Sequence, residues 1–211
     1  MSRHSVTATL IHRDTRLVPD LVHLGRARPR AASAIGCALL LVSSCGGADF
    51  SAWKPYSPEG AAFTVSLPGT PVKEHQLGMN PRGNIETDIY SLDLADGGFL
   101  TITDGVMPPG IDIESGAKEI IDSSVGRIVE SASARVRYTR DITIAGYAAR
   151  EIDAEVPTAA VPGGGRLRAR VVLVGTRLYE LIGVVPNRPT AEVELDHFLN
   201  SFTLRDARKT N

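Results

Sequence analysis

The chain has 211 residues, 43% of them hydrophobic and 22% charged, with a formal net charge of −1. That length and balance suit one globular domain behind a further segment, and the near-neutral total points to neither a nucleic-acid nor an acidic partner. Both cysteines, Cys37 and Cys45, lie in the front part, so the body can hold neither a disulfide framework nor a cysteine-based metal site.

The total charge hides an asymmetry. Residues 1–44 carry six Arg and two acids, net +4, whereas residues 45–211 carry 17 basic and 22 acidic residues, net −5. Arg26, Arg28 and Arg30 precede the apolar run Ala31 to Val42, and Ser43, Ser44 and Cys45 follow it. A positive region, an apolar region and small residues at a processing point make an export signal. The run of about 12 residues is short of the ~20 that span a bilayer.

Val42-Ser43-Ser44-Cys45 resembles the lipobox of bacterial lipoprotein signal peptides, an aliphatic residue, two small ones and a cysteine. The resemblance implies diacylglycerol on Cys45, cleavage before it and acylation of the new terminus, as with palmitate. Two or three acyl chains hold a protein to a membrane stably where one does not, at ~0.8 kcal/mol per buried CH₂. The competing reading is a plain secretory signal with a coincidental cysteine. Residues 1–25 are long, mixed and contain Asp14 and Asp20. They read as an extended leader or, better, as the product of a start codon assigned too far upstream. The expected layout is a leader over 1–44, a tether over 45–52, one domain over 53–204 and a fraying tail over 205–211.

In chain order, Trp53 to Tyr56 is expected to pair back on a strand at Phe63, Val65 and Leu67, across the turn Ser57 to Gly60. Lys73 to Leu77 reads as a short strand and Gly78 to Gly83 as a loop. Ile85 to Leu94 and Phe99 to Asp104 form a hairpin over Asp96-Gly97-Gly98. A helix follows from Ile113 to Glu130, with Ala117, Ile120, Ile121, Ser124, Val125 and Ile128 in one stripe. Strands then span Arg135 to Ile144, Ala148 to Val156, Arg166 to Val174 and Arg177 to Val185. A last helix runs from Ala191 to Ser201, capped by Thr190. This order predicts an α+β fold, a mainly antiparallel sheet of about six to eight strands flanked by two main helices.

The stretches WKPYSPEGAAFTVSLPGTP, GYAAREI, RARVVLVGTRLYELIGV and FLNSFTL together resemble uncharacterised bacterial lipoproteins of planctomycete type. The order of elements is more distantly similar to the Mog1/PsbP-like sandwich. The resemblance implies a binding or assembly role by fold analogy alone, and it transfers no site residue.

Charge is the most patterned feature of the body. Arg166, Arg168 and Arg170 alternate with apolar residues, as do Glu151, Asp153 and Glu155. Paired antiparallel, Glu155 would oppose Arg166, Asp153 oppose Arg168, and Glu151 oppose Arg170, a ladder worth roughly 0.2–1 kcal/mol per pair. The bland reading is a solvated, self-neutralising face. The functional one is an anion-binding stripe of Arg166, Arg168 and Arg170, reinforced by Arg135 and Arg137. Gly163-Gly164-Gly165 leads into a strand, so it reads as a hairpin loop rather than a phosphate loop. His75 and His197 read as surface residues, and Asp104, Asp112 and Glu114 as a coincidental acidic patch. Trp53, Tyr56 and Phe63 are expected to seal the sheet end near the tether.

No catalytic, metal or cofactor motif is present. The expectation is therefore a lipid-anchored cell-envelope protein facing the periplasm or outside, a non-enzymatic binding or assembly module with an envelope-protein partner. A small-ligand carrier with a pocket between sheet and helix is the first alternative. An enzyme with dispersed residues is the second.

Overall fold

A computed structural model describes residues 48–80 and 83–205. The leader, Cys37, Cys45, the first tether residues and the tail beyond Arg205 lie outside the described residues.

Among the described residues, ten strands and two helices follow in order: β1 (Lys54–Tyr56), β2 (Phe63–Leu67), β3 (Val72–Asn80), β4 (Gly83–Asp93), β5 (Phe99–Val106), α1 (Ile113–Ser131), β6 (Arg135–Ile144), β7 (Tyr147–Val156), β8 (Gly165–Val174), β9 (Arg177–Pro186), α2 (Ala191–Ser201) and β10 (Thr203–Leu204). All pairings are antiparallel. Seven strands form one sheet in the order β3-β4-β5-β9-β8-β7-β6, and β1-β2-β10 form a second. The α+β class is as the pattern predicts.

Three local expectations need correction. Residues 78–80 and 83 belong to strands, because all of β3 pairs with β4, from Val72 opposite Ser91 to Asn80 opposite Gly83. Arg205 is not frayed: its N–H donates to the Ala62 carbonyl at 2.8 Å, and its guanidinium donates to the Pro58 and Ala61 carbonyls. Thr190 stands at the N-cap of α2 without a capping hydrogen bond; its Oγ1 accepts from Arg188 Nε instead. The working cap is Asp112, whose Oδ1 accepts from the Ser115 N–H at the start of α1.

Strand alternation assigns the layers. On β8, Leu167, Ala169, Val171 and Leu173 face α1 and join Ile121 and Ile128 of that helix in one core cluster. The opposite face of the sheet carries α2 and the three-stranded sheet. There Phe63, Val65 and Leu67 meet Tyr90, Tyr179, Phe198 and Phe202 in a second cluster. Full burial of each large apolar side chain contributes about 1.5–3 kcal/mol. Helix α2 crosses β9 at Gly183, where an added Cβ would stand 2.5 Å from Leu195 Cδ2. A bare backbone at this point is what lets the helix sit down on the sheet.

Candidate functional site

The two charged strands pair in the expected register, with Glu155 opposite Arg166, Asp153 opposite Arg168 and Glu151 opposite Arg170. The face they form is not solvated. Glu151, Asp153 and Arg168 are buried. Glu151, with 0% of its side chain exposed, accepts from Arg140 Nη2 at 2.7 Å, Arg168 Nη2 at 2.9 Å and Arg170 Nε at 2.7 Å. Asp153 accepts from Arg166 Nη2 through both oxygens, at 2.9 and 2.8 Å.

Helix α2 closes over this row. Arg166 donates to Glu192 at 2.8 Å, Arg168 to Asp196, and Arg170 to the Leu199 carbonyl at 2.9 Å and Asn200 Oδ1 at 2.8 Å. Two strand residues advance about 6.8 Å and four helix residues about 6.0 Å, so Arg at every second strand position matches acceptors at every fourth helix position. The candidate anion-binding side chains Arg166, Arg168 and Arg170 are thus brought together, with donors directed to this chain's own acceptors. The signal that could have revealed it is the spacing of Glu192, Asp196 and Asn200. Burial works to raise the Glu151 carboxyl, but Arg170 and Arg168 outweigh it and hold it below its ordinary value.

A second polar row crosses the other wing of the same face. His75 stands opposite Asp88, Asp88 opposite Asp104, and Asp104 opposite Tyr179. Asp88 accepts from Lys73 at 2.9 Å and lies 2.8 Å from His75 Nδ1. Burial works to raise Asp88, but His75 and Lys73 outweigh it and keep it below the usual range. Burial pushes the Asp104 carboxyl up, although Arg177 Nη1 donates to both its oxygens at 2.8 Å, and facing Asp88 adds to the rise. Two carboxyls pushed apart in this way are a pattern of acid–base pairs. Here Asp104 is buried and chelated by Arg177, so it serves as a paired ion of the sheet. Among the described residues, no group of three or more His, Cys, Asp or Glu could hold a metal ion.

Between sheet and α1 lies a cavity of about 20 Å³ lined by Ile85, Thr87, Thr103, Gly105, Met107, Arg127, Leu178 and Glu180. Glu180 is buried and accepts from Ser124 Oγ at 2.5 Å, Thr103 Oγ1 at 3.1 Å and Arg127 Nη2 at 3.4 Å. Arg127 Nε and Nη1 are buried without hydrogen-bond partners. Such a volume admits one water-sized group, far below the roughly 300–1,000 Å³ of small-molecule sites.

The remaining residues fall into place singly. Phe50 stacks on His197 with centroids 4.2 Å apart, and Trp53 meets that ring edge-on at 4.9 Å. Asp196 and His197, neighbours in sequence, therefore serve different sides of α2. Tyr56 and Phe63 pack edge-on against Tyr90. Gly163 and Gly164 take positive φ in the β7–β8 loop. Asp104 and Asp112 do not form a patch, since one pairs with Arg177 and the other caps α1; the Glu114 side chain lies outside the described residues.

No protein-family model and no curated protein matches this sequence. Among solved structures, the chain is similar to the solution structure of cyanobacterial PsbP (CyanoP) from Synechocystis sp. PCC 6803, at 14% identity and a TM-score of 0.49, over 77% of this chain and 98% of that one. It is also similar to PA94 from Pseudomonas aeruginosa, a protein of unknown function, at 14% identity and a TM-score of 0.32, over 68% of this chain and 89% of that one. At these scores neither likeness bears on function, and the α+β class stands on the strand order and the two helices themselves.

Proposed function

We propose that the chain is a lipid-anchored protein of the cell envelope whose domain is a non-enzymatic binding or assembly module held close to the membrane, facing the periplasm or outside. The anchor in this reading is Cys45, with palmitate-type acylation after removal of the signal peptide. The observation that carries it is the docked tether. Phe50, five residues past Cys45, is already packed on His197, and the Trp53 N–H donates to the Phe50 carbonyl at 3.0 Å. Five residues reach at most about 17 Å. A lipid on Cys45 would hold the domain against the headgroups rather than on a long leash, a position suited to partners in or on the same membrane.

The test is cross-linking in intact cells, comparing wild type with Cys45→Ser. The module reading expects a defined envelope-protein adduct from wild type that is lost or strongly reduced in the unanchored variant. A wild-type protein that yields only monomer at native abundance contradicts it.

A further inference from the structure

The near-neutral total charge conceals a local excess. Arg137, Arg140, Arg166, Arg168 and Arg170 share four acids, Glu151, Asp153, Glu192 and Asp196. The three guanidiniums of β8 are the well-held ones. On this face the surplus falls on β6: Arg140 shares Glu151 with two other Arg, and Arg137 reaches only 3.5 Å from Asp153 and 3.9 Å from Glu192; on the opposite face β6 carries Asp141, 81% exposed and paired with Arg150 at 2.6 Å. The side chains of Arg135, Arg137 and Arg140 are 80%, 43% and 58% exposed. Exposed Val136, Tyr138 and Tyr147 lie among them. Arg and Tyr in this setting are the residue types that dominate protein interfaces.

Strand β6 is also the last of the seven-stranded sheet, with β7 on one side and no described strand on the other. The ladder shifts register between Val136 and Tyr138, leaving Arg137 as the extra residue. From Tyr138 to Ile144 the pairing with β7 is regular, so every second residue of this run turns its backbone N–H and C=O outward, away from β7.

We propose that this outer edge of β6, Tyr138–Ile144 with Arg137 beside it, receives an extended acidic segment of a second envelope protein as an eighth strand. The proposal rests on the binding-module reading and gives that module its surface. Strand alternation sets the chemistry. On the α2 side of the sheet the edge shows Tyr138 and Arg140, then Ile142 and Ile144, which pack into the second core cluster. An antiparallel guest would place acids opposite Tyr138 and Arg140 and apolar residues opposite Ile142 and Ile144. A second copy of β6 paired antiparallel over these seven residues would set Arg140 against Ile142 and Asp141 against Asp141, and like charges directly opposite are unfavourable. The leaflet holding the anchor is the wrong guest. It offers no backbone, and the tether leaves from His197, about 100° round α2 from Asp196 and the Arg row.

The test is fluorescence anisotropy of full-length Cys45→Ser protein with the labelled peptide Val-Thr-Val-Lys-Glu-Thr-Glu, which fits the antiparallel register, at low salt. The proposal expects saturable binding tighter than about 1 mM. It expects about tenfold weaker binding when both Glu become Lys, and a similar loss when alternate amides are N-methylated or when the protein carries Arg140→Glu. The peptide-side changes keep the test valid should Arg140→Glu disturb folding. Absence of saturable binding, equal binding of the Glu and Lys peptides, or indifference to N-methylation overturns the strand-addition site. So does Arg140-dependent binding to phosphatidylglycerol vesicles with none to the peptide. None of these results touches the anchor, which is tested separately through Cys45.

Discussion

Glu151 is one carboxylate serving three guanidiniums in a site closed to water. Removing one partner of a buried ion pair leaves the other charge without compensation and costs about 3–5 kcal/mol. Glu151→Gln should therefore lower unfolding stability by about 3 kcal/mol in urea melts, since Arg168 is left with Asp196 and a distant Asp153. Because its folded pKa lies below the ordinary 4.5, the stability Glu151 provides is present above that value and is lost as pH falls through the lower folded one. Asp104 has the opposite sign. Its folded pKa lies above the ordinary 3.8, so the unfolded chain ionises first and stability falls as pH rises between the two values. Asp104→Asn should leave the melting temperature at pH 7 unchanged or higher, and a clear drop would mean that its pairing with Arg177 outweighs its burial.

At the scale of elements, α2 is held by two unlike devices. Its apolar side inserts Leu195 and Phe198 beside Gly183, and its polar side meets the Arg row. Gly183→Val should cost about 1–3 kcal/mol through overpacking, read from the same melts. Asp196→Ala should cost less than Glu151→Gln, because Asp196 is half exposed whereas Glu151 has no route to water. Much of this was legible in the sequence. Period-two alternation in Glu151–Glu155 and Arg166–Arg170 specifies both the pairing and its register, because a slip by one residue would turn the charges to the α1 side. What alternation cannot convey is depth. The same pattern suits a solvated face and a face roofed by a helix, and the roof comes from residues 192–200, more than twenty positions away. The pairing of β1 with β2 was legible, but the third strand of the second sheet escaped for a related reason. β10 is two residues long, too short to show a period, and it exists because β2 offers it Phe63 and Thr64. Glu180 escaped as well. It sits at an apolar position of β9, and only the fold brings Ser124, Thr103 and Arg127 to it.

At the scale of the whole molecule, the domain pairs its charges largely within itself and leaves Arg135, Arg137 and Arg140 of β6 exposed on an acidic body. Its tether end is defined by the aromatic contacts among Phe50, Trp53 and His197. Such pairs are worth about 0.5–1.5 kcal/mol each, so Phe50→Ala should barely change global stability. It should, however, speed protease cleavage between Cys45 and β1, which limited proteolysis followed by mass mapping would detect. Lipidation of Cys45 is tested most directly by the intact mass and N-terminus of the protein extracted from cell membranes. The expected result is a mature chain that begins at Cys45 and carries a diacylglycerol with an added acyl chain, and a Cys45→Ser protein that carries neither and leaves the membrane fraction. A mature terminus elsewhere, or an unlipidated Cys45 in membrane-bound protein, would contradict it.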